Sequence, residues 1–337
     1  MSARAATQLP ATWRRTLAPV LVFATWLIRR VAIAALTVWL VSVLVFAAIQ
    51  LNPTNPAIVA LGAQSTHRAR IIFDHRMHLD LPPVQRYLEW VGGIIHGDFG
   101  TSVINGLPIH DLVLQRLWFT ALLAIISIIV STLLALPLAV FAARRVGSAT
   151  EIGLSTGAVA LSAIPDFVLA LGVLLLGAVV FRAFPVTSTG VADGDYSGLV
   201  LPAITIVLGA AAYVFRLARV SVVETLSAPY ARAATLRGFS RRRVLWRHIL
   251  PNASIVVVHV VALNAISLMA GQIIVENVFA YPGLGTLLVQ SINNNDLPVI
   301  EAVAVLTAAF LVVINLLADG LVHVLDPRIR QRAVRGS

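Results

Sequence analysis

Residues 230–253 read YARAATLRGFSRRRVLWRHILPNA and carry Arg232, Arg237, Arg241, Arg242, Arg243 and Arg247 within a chain that is otherwise mostly hydrocarbon. The stretch has the punctuation of two short helices. Tyr230 to Arg237, with Ala233 and Ala234, is rich in good helix formers. Gly238 suits the left-handed position that ends a helix, and Ser240 can cap the next one. In that second helix Val244, Leu245, His248 and Ile249 share an apolar face, with Trp246 beside it, while Arg243 and Arg247 form another. After Leu250, Pro251 either stops the helix or occupies the first turn of a following one. On the residues alone, two uses are open for such a segment: lying in a partner's groove, or touching anionic lipid headgroups.

Working outward, 58% hydrophobic and 12% charged residues with a mean hydropathy of +0.89 identify an all-α polytopic membrane protein. At about 20 apolar residues per crossing, six segments qualify: Val31 to Ile49, Leu117 to Ala142, Ile152 to Phe181, Leu199 to Phe215, Ser254 to Val275 and Val299 to Val322. They lack the polar–apolar alternation of a membrane β-barrel. Arginines cluster in residues 1–30, 143–151, 216–252 and 327–337, which together hold 19 of the 25. The positive-inside rule then places both termini and the opening stretch in the cytoplasm, and it explains the net charge of +10 without nucleic acid. Arg14 and Arg15, an apolar run, and then Arg29 and Arg30 without a small-residue cleavage site favour a cytoplasmic interfacial helix in residues 1–25 over a cleaved signal.

There is no cysteine, which removes disulfides, Cys zinc sites and thiol catalysis. There is also no lysine, so the chain lacks the phosphate-binding lysine of a Walker-type ATPase. Any ATP energy has to come from another subunit.

Two further regions stand out. The connector from Asn52 to Gln115 is long for a loop, and its turn residues and aromatic anchors argue for order. Within the spans, an acid costs about 2.5–3.5 kcal/mol at the helix centre, so Asp166, after Pro165, is expected to face protein or water. Asn264, Ser267, Gly271 and Gln272 share a face of the fifth span and are candidate path-lining positions, with Gly271 permitting close helix approach. A packing role for the same polar residues is the competing reading. Glu276, Glu301 and Asp319 sit near span ends as candidates for gating or packing. His67, His75 and His78 have neither Cys nor a helix-spaced acid beside them, so no metal site is expected.

The spacing R232-A-A-x-x-x-G238 followed by Leu250-Pro251 resembles the EAA loop of ABC importer permeases. WLIRRVAIAALTVWLVSVLVF, YLEWVGGIIHGDFGTS, VENVFAYPGLGTLL and NLLADGLVHVLDPRIR extend the likeness, from about Trp26 to Arg330, to the B-type permeases of the dipeptide, oligopeptide and nickel importers. The resemblance implies a type I importer transmembrane domain over 26–330, with an outer loop at 52–115, a coupling loop at 221–252 and a tail at 331–337 in a bacterial plasma membrane. It implies four kinds of partner: a second permease, one or two cytoplasmic subunits that bind ATP and Mg, an extracytoplasmic substrate-binding protein, and lipid. The chain itself would bind no cofactor. The cargo implied is short peptides, with nickel chelates, glutathione or haem as alternatives.

The resemblance also gives the outer loop a share of the binding-protein contact, for which Tyr87, Trp90, Asp98 and Phe99 are candidates. Tyr230, Val244, Leu245 and Trp246 are the candidates for gripping the ATPase. Two departures stand out: Arg232 occupies a position where the wider superfamily has Glu, and LNPTNPA replaces a Pro-Gly-Asp-Pro-like turn. Against a channel or secondary transporter, Asp166 is the one deep acid. Against an intramembrane enzyme, H-E-x-x-H and G-x-S-x-G are absent, and Asp193-Gly194-Asp195 lies in an outer loop.

Overall fold

The computed structural model describes residues 11–51, 56–62, 64–76 and 79–325. Among them the chain is helical throughout, without strands. A long helix α1 (Ala11–Gln50) is followed by three short ones, α2 (Pro56–Leu61), α3 (His67–Arg76) and α4 (Pro83–Ile95). Then come α5 (Ile109–Ala143), α6 (Ala149–Ala163) and α7 (Asp166–Leu174), the last running on as a π-helical turn, Leu175–Val180. Two 3₁₀ turns lead to α8 (Val200–Ser227), α9 (Pro229–Leu236), α10 (Arg241–Val244), a second π turn (Leu245–Ile249) and α11 (Leu250–Val278). The chain closes with α12 (Leu284–Asn293) and α13 (Leu297–Leu325).

Among the described residues four helices are long and apolar enough to cross a membrane unbroken, and counting each of two bent pairs as one span gives up to six. The third span is the main correction to the sequence reading: it breaks by 102° between Ala163 and Asp166. Its cause is local. Ile164 precedes a proline, so its backbone is held extended (φ −78°, ψ 125°), and Pro165 (φ −60°, ψ 143°) directs the chain into a new helix. The fifth span bends by 42° near its start. Residues 11–25 also differ from expectation, because they belong to the same unbroken helix as the first span rather than to a separate interfacial segment. The first ten residues and the tail from 326 lie outside the described residues.

The core is built around α8, which packs along α5 on one side and α11 on the other. Small buried residues of α5, Ala124, Ser127, Ser131, Ala135, Ala139 and Ala142, recur every three or four positions and let the α8 backbone approach. Large apolar side chains of α1 and α7, including Leu36, Leu44 and Leu171, and Phe181 just after the π turn, point outward. In water such a surface would be unfavourable, whereas lipid or a partner helix accommodates it.

Three helices meet at Glu276, which is 1% exposed. Its Oε1 accepts hydrogen bonds from the Thr120 hydroxyl (2.8 Å) and Gln272 Nε2 (3.0 Å), and its Oε2 accepts one from the Gly285 N–H (2.7 Å). The Leu284 N–H in turn donates to Thr120 Oγ1 at 2.8 Å. The carboxylate of α11 thus sits on the N-terminus of α12, where orphan amides and the helix dipole favour a negative charge, and α5 is tied in through Thr120. The glycines of YPGLG make room for it. A Cβ at Gly283 would meet the Glu276 carboxylate, and one at Gly285 would lie 2.7 Å from Ile273 Cα. Glu276 is therefore a packing residue in this structure. Glu276→Ala leaves three buried donors unmade, at about 1–3 kcal/mol each. We expect a clearly lowered midpoint in thermal unfolding of the detergent-solubilised protein, with the exposed Glu224→Ala as the unaffected control; equal midpoints would remove the clamp.

Candidate functional site

The opening stretch folds as its punctuation predicts. Pro229 starts α9, and Gly238 ends it at φ +83°, with Phe239 N–H donating to the Ala234 carbonyl (3.3 Å) and Gly238 N–H to that of Thr235 (3.0 Å). This is the paired closure of a Schellman cap. The Ser240 hydroxyl accepts from the Arg243 N–H at 3.4 Å and begins the second leg. That leg passes through the π turn into α11, with Pro251 in the first turn of the long helix.

The division of its faces differs from the sequence reading. Val244, Leu245 and Ile249 are apolar and buried as expected, but they are buried against Ala143, Val222, Ala231 and Ala234 of the same chain. Val244 and Leu245 hold the loop to the ends of α5 and α8 and so are not free to grip another protein. The exposed large side chains are Leu236 at 88%, Trp246 at 64%, and Tyr230 and Phe239 less so. Leu236 and Phe239 were missed because each adjoins a helix end, where periodicity loses its meaning. Arg232 and Ala233 are exposed and Ala234 is buried. Leu250 packs against the buried cluster of Val244 and Leu245. The side chains of Arg241 and His248 lie outside the described residues.

Nearer the centre, a cavity of about 300 Å³ lies between the α6–α7 break, α8 and α11. It brings together Asp166, Asn264, Ser267, Gly271 and Gln272, five of the six candidate path residues; Pro165 shapes the break without lining the space. Asp166 opens α7, and its carboxylate lies where a Cβ of Gly271 would be. Gly271 therefore makes room for a carboxylate rather than for a helix backbone. Gln272 is buried and its Nε2 donates to the Thr120 carbonyl (2.7 Å), leaving Oε1 without a partner; Asn264 Nδ2 is likewise buried and unpaired. The Ser267 hydroxyl turns back to the Leu263 carbonyl at 3.3 Å. Thr205, Gly209 and Tyr213 add a wall from α8 that the sequence reading missed. Their i, i+4, i+8 spacing on a buried helix was the available signal.

The outer-loop candidates are mostly structural. Tyr87 shares a 2.8 Å hydrogen bond with Ser42, and its ring packs edge-on to Phe46 at 5.3 Å. Trp90 joins the same cluster, and Phe99 is buried with Ile109, Val113 and Leu284. Phe99 is buried and so is not available to the binding protein, while Tyr87 and Trp90 are half-buried against the first span; Asp98 is exposed, capping a turn through the Gly100 N–H (2.8 Å). Aromatic residues in an amphipathic α4 face the first span because a loop of this length needs its own core. The loop's end is latched to α13 by Asp296, which accepts from the Ser102 hydroxyl and the Val103 N–H.

Two ion pairs bind the arginine-rich ends of the spans. Arg219 meets Glu151 at 2.5 Å, joining α8 to the start of α6, and Arg30 meets Asp319 at 2.8 Å, joining α1 to α13. The Asp193–Asp195 run is a turn: Gly194 takes φ +91°, and hydrogen bonding from Ser197 holds the Asp195 carboxyl below the usual range. His75 lies 3.4 Å from Asp80, and His78 falls outside the described residues.

The chain matches the family described as binding-protein-dependent transport system inner membrane component over residues 135–331, and the N-terminal domain of that family over residues 23–124. It is 31% identical to the oligopeptide transport system permease protein AppB of Bacillus subtilis, over 91% of this chain and 99% of the relative. It is 29% identical to the dipeptide transport system permease protein DppB of Escherichia coli, over 91% and 99%, and 32% identical to the glutathione transport system permease protein GsiC of the same species, over 88% and 95%. With a capped double helix between spans four and five, a polar cavity beside a broken third span and these matches along nearly its whole length, the chain belongs to the binding-protein-dependent transport system inner membrane components, the permease subunits of ABC importers.

Proposed function

We propose that the protein moves short peptides into the cell as one of two related permease subunits, powered by one or two cytoplasmic ATP-binding subunits and supplied by an extracytoplasmic binding protein. ATP and Mg belong to the partners, and both termini of this chain face the cytoplasm. The observation that carries the reading is the 230–253 loop: an apolar side holds it to α5 and α8, while Tyr230, Leu236, Phe239 and Trp246 face outward. A lever needs both, a rigid hold on the spans it moves and a separate surface for the subunit that moves it. In this mechanism closure of the ATP-binding subunits swings α9 and α10. Buried Val244, Leu245 and Ile249 pass that motion into α11 and α8, and the cavity beside Asp166 alternates between the two sides.

Peptide cargo follows the oligopeptide and dipeptide transport of two relatives. The cavity chemistry agrees. A carboxylate, an unpaired amide donor and an unpaired amide acceptor offer contacts to peptide amides and end charges without enclosing any one side chain. Glutathione, itself peptide-like, is the second cargo reading, from the third relative. The test is reconstitution of the chain with its neighbouring subunits and a screen of di-, oligopeptides and glutathione for stimulation of ATP hydrolysis and uptake. Stimulation by none of them would overturn the cargo assignment.

Replacing both Leu236 and Trp246 with Ala should lower substrate-stimulated ATP turnover and uptake at least severalfold while the protein still inserts and purifies. Normal turnover would move the contact elsewhere. Gly238→Val forces a β-branched residue to φ +83°, a strain of about 1–3 kcal/mol; the expected result is lost coupling with retained membrane insertion, measured by the same assay. Asp166→Ala should change uptake rate or cargo range across a peptide panel, and an unchanged panel would make Asp166 a packing residue.

A further inference from the structure

A second cavity, of about 380 Å³, lies near the outer face between α1, α3, α4, the Asp98–Val103 loop and the first turn of α13, apart from the one beside Asp166. Glu301 projects from α13 into its lining and is 7% exposed. It forms no hydrogen bond or ion pair among the described residues. Arg86 lines the same space and attracts Glu301 by its charge without closing to an ion pair: its Nη1 donates to Gln50 Oε1 at 3.1 Å, and its guanidinium lies 5.8 Å from the centre of the Phe46 ring. Trp90 Nε1 is buried and has no acceptor. Glu89 and Asp98 also border the cavity.

An unpaired buried carboxylate is costly, and a buried indole N–H without an acceptor adds to that cost. Both are relieved by one type of guest. A primary ammonium would pair with Glu301 and lie near ring faces that favour a cation. An apolar body would fill the space between Phe46, Phe73 and Phe99, and an acceptor oxygen next to the amine would take the Trp90 N–H. The cavity is of the size that small-molecule sites use. We propose that this cavity is a binding site for small primary ammonium compounds with an aromatic or branched apolar body, separate from the transport path.

The test uses the full-length protein in nanodiscs and ¹⁹F NMR titration with 2-(4-fluorophenyl)ethylamine, its uncharged analogue 2-(4-fluorophenyl)ethanol, and 4-fluorophenylalanine amide, with empty nanodiscs measuring partition into lipid. The site predicts saturable binding of the amine above the empty-disc signal, weakened at least tenfold by Glu301→Gln, while the alcohol binds wild type and variant equally weakly. Trp90→Phe, a second variant that leaves the carboxylate in place, should weaken the carbonyl-bearing amide more than the simple amine. Amine binding that is not saturable, or that is the same in wild type and in Glu301→Gln, would overturn the proposal. If Glu301→Gln fails to fold, a Trp90→Phe protein that binds the amide as wild type does would overturn it instead.

Discussion

In hydrocarbon, every backbone N–H and C=O has to be satisfied within the chain, because no water is there to do it. Unbroken helices meet that demand without help, and α1, α5, α8 and α13 are of this kind. Departures from it are tolerated where the freed groups face protein or an aqueous space. The 102° break at Ile164–Pro165 falls beside the polar cavity, and the π turn at Leu245–Ile249 falls where the coupling loop enters the fifth span.

The rest of the architecture keeps those irregular places in register. At the outer end, Glu276 joins α5, α11 and α12 in one buried network, and Asp296 ties the long loop to α13. At the other end the ion pairs Arg219–Glu151 and Arg30–Asp319 link neighbouring helices. Between them the small residues of α5 allow close packing against α8. The cavity beside Asp166 thus lies between two fixed ends, with Asn264 and Gln272 each holding one polar atom unpaired. Polar groups left unpaired at a packed helix interface are costly unless something visits them, which accords with a path rather than a permanent seal.

How the coupling loop divides its side chains is the main revision to its reading. Charge and periodicity both pointed to the 230–253 segment, and Gly238 and Ser240 do what their chemistry implies. Yet the apolar face that looked available to a partner closes onto the chain's own helices. Leu236 and Phe239, which the sequence reading missed, form the outward surface with Tyr230 and Trp246. Similarly, Phe99 of the long loop looked like a contact residue and is buried with Ile109, Val113 and Leu284.

Local rules account for what was legible from residues alone. Hydropathy marks six candidate spans, arginine distribution supplies an expected orientation, and glycine marks the turn at 238. Those features depend on a few consecutive residues, or on the bilayer acting on each segment separately. Which apolar face meets which helix is a different kind of question, since Val244 and Trp246 are both suited to a protein partner and differ only in where the chain's other helices lie. The same holds for Glu276 and Glu301, carboxylates near the outer ends of neighbouring spans. One is satisfied by the amides of a helix 9 residues further along the chain, and the other faces an open cavity. That difference arises only from tertiary packing, because burial and pairing belong to positions in space rather than to residue types.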